Sequence, residues 1–198
     1  METDFLSKKY WNDRYKKGQT GWDIGYVATP LKVYFDQIKN KGLRILIPGC
    51  GNSYEALYLL ELGFTNLTLI DLSKKITDSL RNNLQNYSHN QVSIFTGDFF
   101  ELNGIYDLII EQTFFCALDP ELREKYVKKM ASLLPGNGKL VGLLFNKEFP
   151  KNPPFGGNKK NYRQLFTSGF RIQVLEECYN SIPERVGSEL FLIAEKRV

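Results

Sequence analysis

Short apolar runs alternate with amphipathic stretches along most of this chain, a pattern that predicts strands separated by crossover helices. The first run, Ile45-Leu46-Ile47, stops at Pro48 and enters Gly49-Cys50-Gly51-Asn52-Ser53, followed by an apolar helical segment that ends at Gly63. Ser53 is the expected helix cap and Gly63 the terminator. A second strand is predicted at Leu67-Thr68-Leu69-Ile70 with Asp71 at its end. A polar helix capped by Ser73 should then run to about Tyr87, with further strands at Gln91 to Phe95 and Tyr106 to Ile110. Asp119 and Pro120 start an amphipathic helix that carries Leu122, Tyr126, Met130, Leu133 and Leu134 on one side. Lys139 to Phe145 is continuously apolar, as a central parallel strand should be. A helix near Asn161 to Phe166 and strands at Arg171 to Glu176 and Glu189 to Ala194 complete the chain, the last two reading as antiparallel neighbours. Before the first strand, a helical pattern runs from Asp4 to Lys17, and a second helix starts with Thr29 as N-cap and Pro30 at N1. The fold expected is α/β, with seven strands and a mostly parallel sheet.

A strand, a glycine turn and a helix bring the main chain close to a ligand, because glycine has no Cβ, and the turn's N–H groups are the expected contacts. Asp71 lies 22 residues after Gly49, at a strand end where an acid accepts hydrogen bonds from ribose hydroxyls. The dinucleotide fingerprint wants a third small residue where this chain has Tyr54, which disfavours a nicotinamide or flavin dinucleotide. A short-chain dehydrogenase would also need a Tyr-x-x-x-Lys pair, and the nearest candidate runs from Tyr126 to Met130.

The length of 198 residues fits one domain, 1–198, with residues 1–40 as a helical extension. The net charge of +4 comes from 26 basic and 22 acidic residues scattered throughout, so no basic stripe points to nucleic acid. Cys50, Cys116 and Cys178 are far apart and His89 is the single histidine, which excludes the usual zinc spacings and argues for a reducing compartment. The charged first residues and the lack of a long apolar run give no secretory signal or membrane span, so the expected location is the cytoplasm.

Several segments have two readings. Trp11 and Tyr15, spaced i, i+4, either pack the first helix on the core or cover the cradle; Trp22, in a loop with Gly18, Gly21 and Gly25, is the better candidate to face a ligand. Asp98 and Phe99 either contact an adenine or serve as a helix cap and a core aromatic. The loop FNKEFPKNPPFGG, residues 145–157, is either a wall of an acceptor pocket or a passive connection.

Taken together, W-x-x-x-Y-x-x-G-x-T-G-W-D-x-G with TP after it, IPGCG, IDLS, GDFF, EQTFFCALDPELR and PPFGG resemble the thiopurine methyltransferase family over nearly the whole chain. The resemblance extends to bacterial and plant members that methylate thiols, thiocyanate or halides. It implies a Rossmann-like class I methyltransferase that uses S-adenosyl-L-methionine, with a seven-stranded sheet whose last strand is reversed, helices on both faces and an N-terminal helical lid. It also implies cofactor contacts at Gly49, Gly51, Asp71, Leu72, Asp98, Phe99, Glu111 and Gln112, beneath Trp11, Tyr15 and Trp22. Two positions depart from the family pattern: Ser53 replaces a frequent glycine and Tyr15 a frequent tryptophan. Acceptor contacts are assigned to Phe115, Pro154, Phe155 and Arg185, with a surface charge as the alternative for Arg185. No general base and no metal is assigned, since methyl transfer from a sulfonium needs orientation and removal of water more than proton transfer. The partner implied is a small-molecule acceptor. A protein that binds the cofactor without transferring methyl is the alternative.

Overall fold

The computed structural model describes residues 5–197. Among these residues, six α-helices accompany seven strands that form one mixed sheet: α1 Lys8–Lys16, α2 Thr29–Asp36, β1 Ile45–Pro48, α3 Tyr54–Glu61, β2 Leu67–Asp71, α4 Lys74–Asn83, β3 Val92–Thr96, β4 Leu108–Gln112, α5 Arg123–Ser132, β5 Lys139–Phe145, α6 Lys159–Phe166, β6 Phe170–Glu177 and β7 Glu189–Lys196. The strand order is β3-β2-β1-β4-β5-β7-β6. β1 to β5 pair in parallel, while β7 runs antiparallel between β5 and β6.

The central strands are apolar on both faces because both faces are covered. In β1 the alternation divides the side chains cleanly: Ile45 and Ile47 pack with Leu31, Phe35, Ala56, Leu59 and Leu80 from α2, α3 and α4. Leu46 faces the other way, into a cluster with Tyr126, Val127, Met130 and Phe166 from α5 and α6. Leu46 is fully buried, so truncation to alanine would cost about 2 to 5 kcal/mol. Chain order reverses between β1 and β4, and in an open parallel sheet that switch point leaves a crevice outside the carboxyl ends of the strands.

Several predicted boundaries move for identifiable reasons. Asp4, the expected start of the first helix, lies outside the described residues, and Ser7 caps α1 by accepting from the Tyr10 N–H. Ala28, not Thr29, precedes α2, and its N–H donates to the Glu55 carboxylate at 3.3 Å. Ser53 stands at the cap position of α3 but in a left-handed conformation (φ +50°), and its hydroxyl makes no capping bond. β4 begins two residues later than expected, because the Tyr106 N–H is taken by the Leu133 carbonyl and Asp107 is paired with Arg44. Asp119 and Pro120 open a short 3-10 turn, and α5 starts only at Arg123. α4 ends at Asn83, short of Tyr87.

Asn12 on α1 ties the N-terminal helix to the sheet layer. Its side-chain oxygen accepts from the Ser73 hydroxyl at 2.8 Å and from the Lys75 N–H at 3.1 Å, at the start of α4. That start is one of the helix ends whose free N–H groups need a partner.

Candidate active site

The crevice at the switch point is a cavity of about 890 Å³, bordered by the carboxyl ends of β1, β2 and β4 and covered from the N-terminal side. A volume of this order suits a small-molecule site.

Its floor is the turn 49–53. Gly49 has φ +56°, and a Cβ there would lie 2.2 Å from the ring of Phe114, so only glycine fits. Two of the turn's amides are unavailable for the ligand contacts expected of them. The Cys50 N–H donates to the Ile70 carbonyl at 3.1 Å and the Gly51 N–H to Asp71 Oδ2 at 3.0 Å, so both are consumed inside the fold. The carbonyls of Gly49, Cys50 and Gly51, by contrast, accept no hydrogen bond among the described residues. The turn therefore offers unused carbonyl acceptors to a cationic group, while the Asn52 and Ser53 N–H groups also donate to no acceptor among the described residues. The Ser53 hydroxyl beside them is buried and has no partner.

Asp71 is buried, with Oδ1 accepting from the Ser73 N–H at 2.8 Å and Oδ2 from Gly51. Burial raises its pKa, and the N–H donors oppose that rise. Each oxygen retains accepting capacity for a further hydroxyl. Glu55, another buried carboxyl on the cavity wall, is pushed up to about 7 by burial, against the pull of the backbone N–H groups that donate to it.

Above the turn lies an aromatic cover. Trp11 and Trp22 meet edge to face at 5.6 Å, and Tyr15 meets Trp22 in the same way at 5.7 Å. The Tyr15 phenol is held protonated by burial, with neighbouring Asp71 adding to the effect. Three bonds fix the glycine-rich segment that carries Trp22: Asn52 donates to Asp23, Ala28 donates to Glu55, and Arg185 donates to the Trp22 carbonyl at 2.8 Å.

The family model for thiopurine S-methyltransferase matches residues 6–196. The chain belongs to the thiopurine S-methyltransferase family. The thiopurine S-methyltransferase of Acinetobacter baylyi is 27% identical over 195 residues, covering 87% of this chain and 89% of its own length. Thiocyanate methyltransferase 1 of Brassica oleracea is 31% identical over 188 residues, with coverages of 90% and 81%. The fold is shared with the 1,6-didemethyltoxoflavin-N1-methyltransferase of Burkholderia thailandensis, solved with S-adenosylhomocysteine, at a TM-score of 0.79, 17% identity and coverages of 96% and 87%. It is also shared with magnesium protoporphyrin IX methyltransferase of Synechocystis, at a TM-score of 0.76, 19% identity and coverages of 96% and 97%. As a thiopurine S-methyltransferase family member the chain is an S-adenosylmethionine-dependent methyltransferase.

The cavity of this family member brings together Trp11, Tyr15, Trp22, Gly49, Gly51, Asp71, Leu72, Asp98, Phe99, Gln112, Pro154 and Arg185. Asp98 and Phe99 fit the cap and core reading, Asp98 accepting from the Phe100 N–H at 2.8 Å and Phe99 being buried in the second core cluster, and both also line the cavity. Arg185 is no surface charge, being buried against Glu189 at 3.2 Å.

Three assignments are corrected. Glu111 is fully enclosed behind the cavity wall, where Oε1 accepts from the Phe114 and Phe115 N–H groups at 2.9 Å each and Oε2 accepts from Tyr126. Its carboxylate is occupied in holding the turn after β4. Phe115 is buried among Tyr126, Tyr162 and Phe166, not in the cavity. Phe155 is not among the residues that line the cavity; its N–H donates to the Cys116 carbonyl and its own carbonyl accepts from Arg123. Residues that sequence reasoning missed are Asp23, Asn52, Glu55, Phe114, Phe145, Lys147 and Phe149, all of which line the cavity. The available signal was their place in or beside segments already singled out: Asp23 in the Trp22 loop, Asn52 and Glu55 at the glycine turn, Phe114 in EQTFFCALDPELR, and Phe145, Lys147 and Phe149 in the loop 145–157 read as a possible acceptor wall.

Proposed function

We propose that the enzyme transfers methyl to a small soft nucleophile, a thiol or thiopurine sulfur, thiocyanate or a halide, by in-line displacement without a dedicated general base. The observation that carries this reading is the cavity lining: acids and unused carbonyls around the glycine turn, aromatic rings above it, and no histidine among the residues that line it. The relatives named thiopurine S-methyltransferase and thiocyanate methyltransferase support that acceptor class.

The residues fit the cofactor. The carbonyls of Gly49 to Gly51 suit its ammonium, the unpartnered Ser53 hydroxyl its carboxylate, and Asp71 its ribose hydroxyls. Asp98 is assigned to the adenine amino group, with Leu72 and Phe99 flanking the ring and Gln112 beside it. Bound there, S-adenosylmethionine supplies a methyl group already activated by a sulfonium and departs as a neutral thioether, so no acid is needed.

Trp11, Tyr15 and Trp22 form a lid, part of an N-terminal extension of one catalytic unit, that excludes water and presents π faces to the positive sulfur. That contact is worth about 1 to 2 kcal/mol once desolvated. A thiol with a pKa near 8.5 is a few per cent thiolate at neutral pH, which binding can select. The acceptor's lone pair forms the new bond to carbon as the sulfonium bond breaks, and the thiol proton goes to water beforehand. Arg185 and Pro154 are assigned to the acceptor wall. The three unpaired cysteines support a reducing location, the cytoplasm.

The test is incubation of purified protein with methyl-labelled cofactor and a panel of thiols, a thiopurine, thiocyanate and iodide, with methylated product and S-adenosylhomocysteine as readouts. Transfer to members of the panel is expected. Tight binding of S-adenosylhomocysteine with no turnover would favour a binding protein instead.

A further inference from the structure

Resting on that reading, we propose that Lys147 selects acceptors that carry a carboxylate in addition to the reacting sulfur. The end of β5 and the loop after it border the cavity with Phe145, Lys147, Phe149 and Pro154. The Lys147 ammonium lies 4.9 Å from the centroid of the Phe149 ring and 5.9 Å from that of Phe145. The Arg185 guanidinium lies 5.4 Å from the same Phe145 ring, so two cations share one aromatic surface.

Only one of the two has its charge met. Arg185 is paired with buried Glu189 at 3.2 Å and donates to the Trp22 carbonyl. Lys147 takes part in none of the ion pairs among the described residues, although Glu184 also lines the cavity. Lys147 is exposed on the cavity lining, and its ammonium, held over aromatic rings without an ion-pair partner, is open to an anionic group on the acceptor.

The loop also holds Lys147 in place. Its carbonyl accepts from the Gly157 N–H at 3.0 Å, and a Cβ on Gly156 would lie 1.9 Å from that same carbonyl, so the strands of the loop touch. On the other side, the Asn146 N–H donates to the Ser188 carbonyl and its side-chain oxygen accepts from the Lys159 N–H. A cation carried on this tethered backbone at one end and a methyl donor at the glycine turn define a two-ended acceptor, sulfur toward the turn and carboxylate toward the loop.

The experiment compares 3-mercaptopropionate with its uncharged amide in wild type, Lys147→Met and Lys147→Arg. Methionine keeps the stem against Phe149 without the charge. The acid-to-amide ratio of kcat/KM should fall about tenfold in K147M, mainly through KM of the acid, and return in K147R. Binding of S-adenosylhomocysteine by K147M shows that the variant is folded. An unaltered ratio in K147M would overturn the role of Lys147 while leaving the methyltransfer reading intact. Wild type that binds S-adenosylhomocysteine but methylates neither of these thiols nor any other member of the acceptor panel would overturn both.

Discussion

The Tyr126 hydroxyl donates a 2.5 Å hydrogen bond to Glu111 Oε2 across the interface between β4 and α5, with both side chains buried. The other carboxylate oxygen holds the Phe114 and Phe115 N–H groups, so Glu111 locks the turn that sets Phe114 against Gly49. Burial pushes the Glu111 pKa up to about 7, while Tyr126 and the two N–H groups pull the other way. The unfolded chain releases this proton near 4.5. Between those values the folded state binds more protons, so stability falls as pH rises from about 4.5 to about 7, by up to about 3 kcal/mol from this group. Urea unfolding at a series of pH values should show that decline in wild type and a flatter profile in Glu111→Gln. Identical profiles would remove Glu111 as its source.

Gly49 and Gly51 share a left-handed backbone but not the same surroundings. An added Cβ at Gly49 meets the Phe114 ring at 2.2 Å, whereas at Gly51 its nearest neighbour is the Tyr15 hydroxyl at 3.3 Å. Gly49→Ala should therefore lose about 3 kcal/mol, combining backbone strain and overpacking, and Gly51→Ala about 1 to 2 kcal/mol. Thermal melts of the two variants check the order. Equal losses would mean that Phe114 moves aside freely.

The sheet was legible in the sequence because its strands are short apolar runs punctuated by proline and glycine, and burial on both faces leaves little else for Ile45 to Ile47 or Lys139 to Phe145 to become. The glycine turn with Asp71 was legible for the same reason, since the residue types are constrained by close approach. Glu111 was not, because an acid at the end of a strand points toward a ligand only if its own backbone neighbours do not claim it, and here the next turn supplies both N–H groups. Phe115 failed similarly: a loop near a site has two sides, and periodicity does not say which side chain turns inward. Lys147 and Asp23 were not singled out because charges in loops look like solvated surface until the fold shows which of them border a cavity.

Arg185 and Glu189 form a nearly enclosed pair that also fastens Trp22. Removing the cation alone leaves Glu189 charged and buried beside Ser181, so Arg185→Met should cost about 3 to 5 kcal/mol. The double variant Arg185→Met/Glu189→Gln should recover about half of that, since no unpaired charge remains. Chemical denaturation of the single and double variants gives both numbers. A double variant no more stable than R185M would place the loss in packing and not in charge.

Trp22 offers the cleanest test of what the lid does. Its ring meets Trp11 and Tyr15 edge to face, and its carbonyl is anchored by Arg185 through the main chain, so Trp22→Leu leaves the anchor in place while removing the π face. A lid that only excludes water would lose affinity equally for S-adenosylmethionine and for S-adenosylhomocysteine, which differ by a methyl group and a positive charge. A lid that recognises the charge through its ring loses preference for the sulfonium form, by roughly fivefold to thirtyfold for about 1 to 2 kcal/mol. Calorimetric dissociation constants for both compounds in wild type and W22L should show that ratio shift toward the demethylated form. An unchanged ratio would reduce Trp22 to a cover.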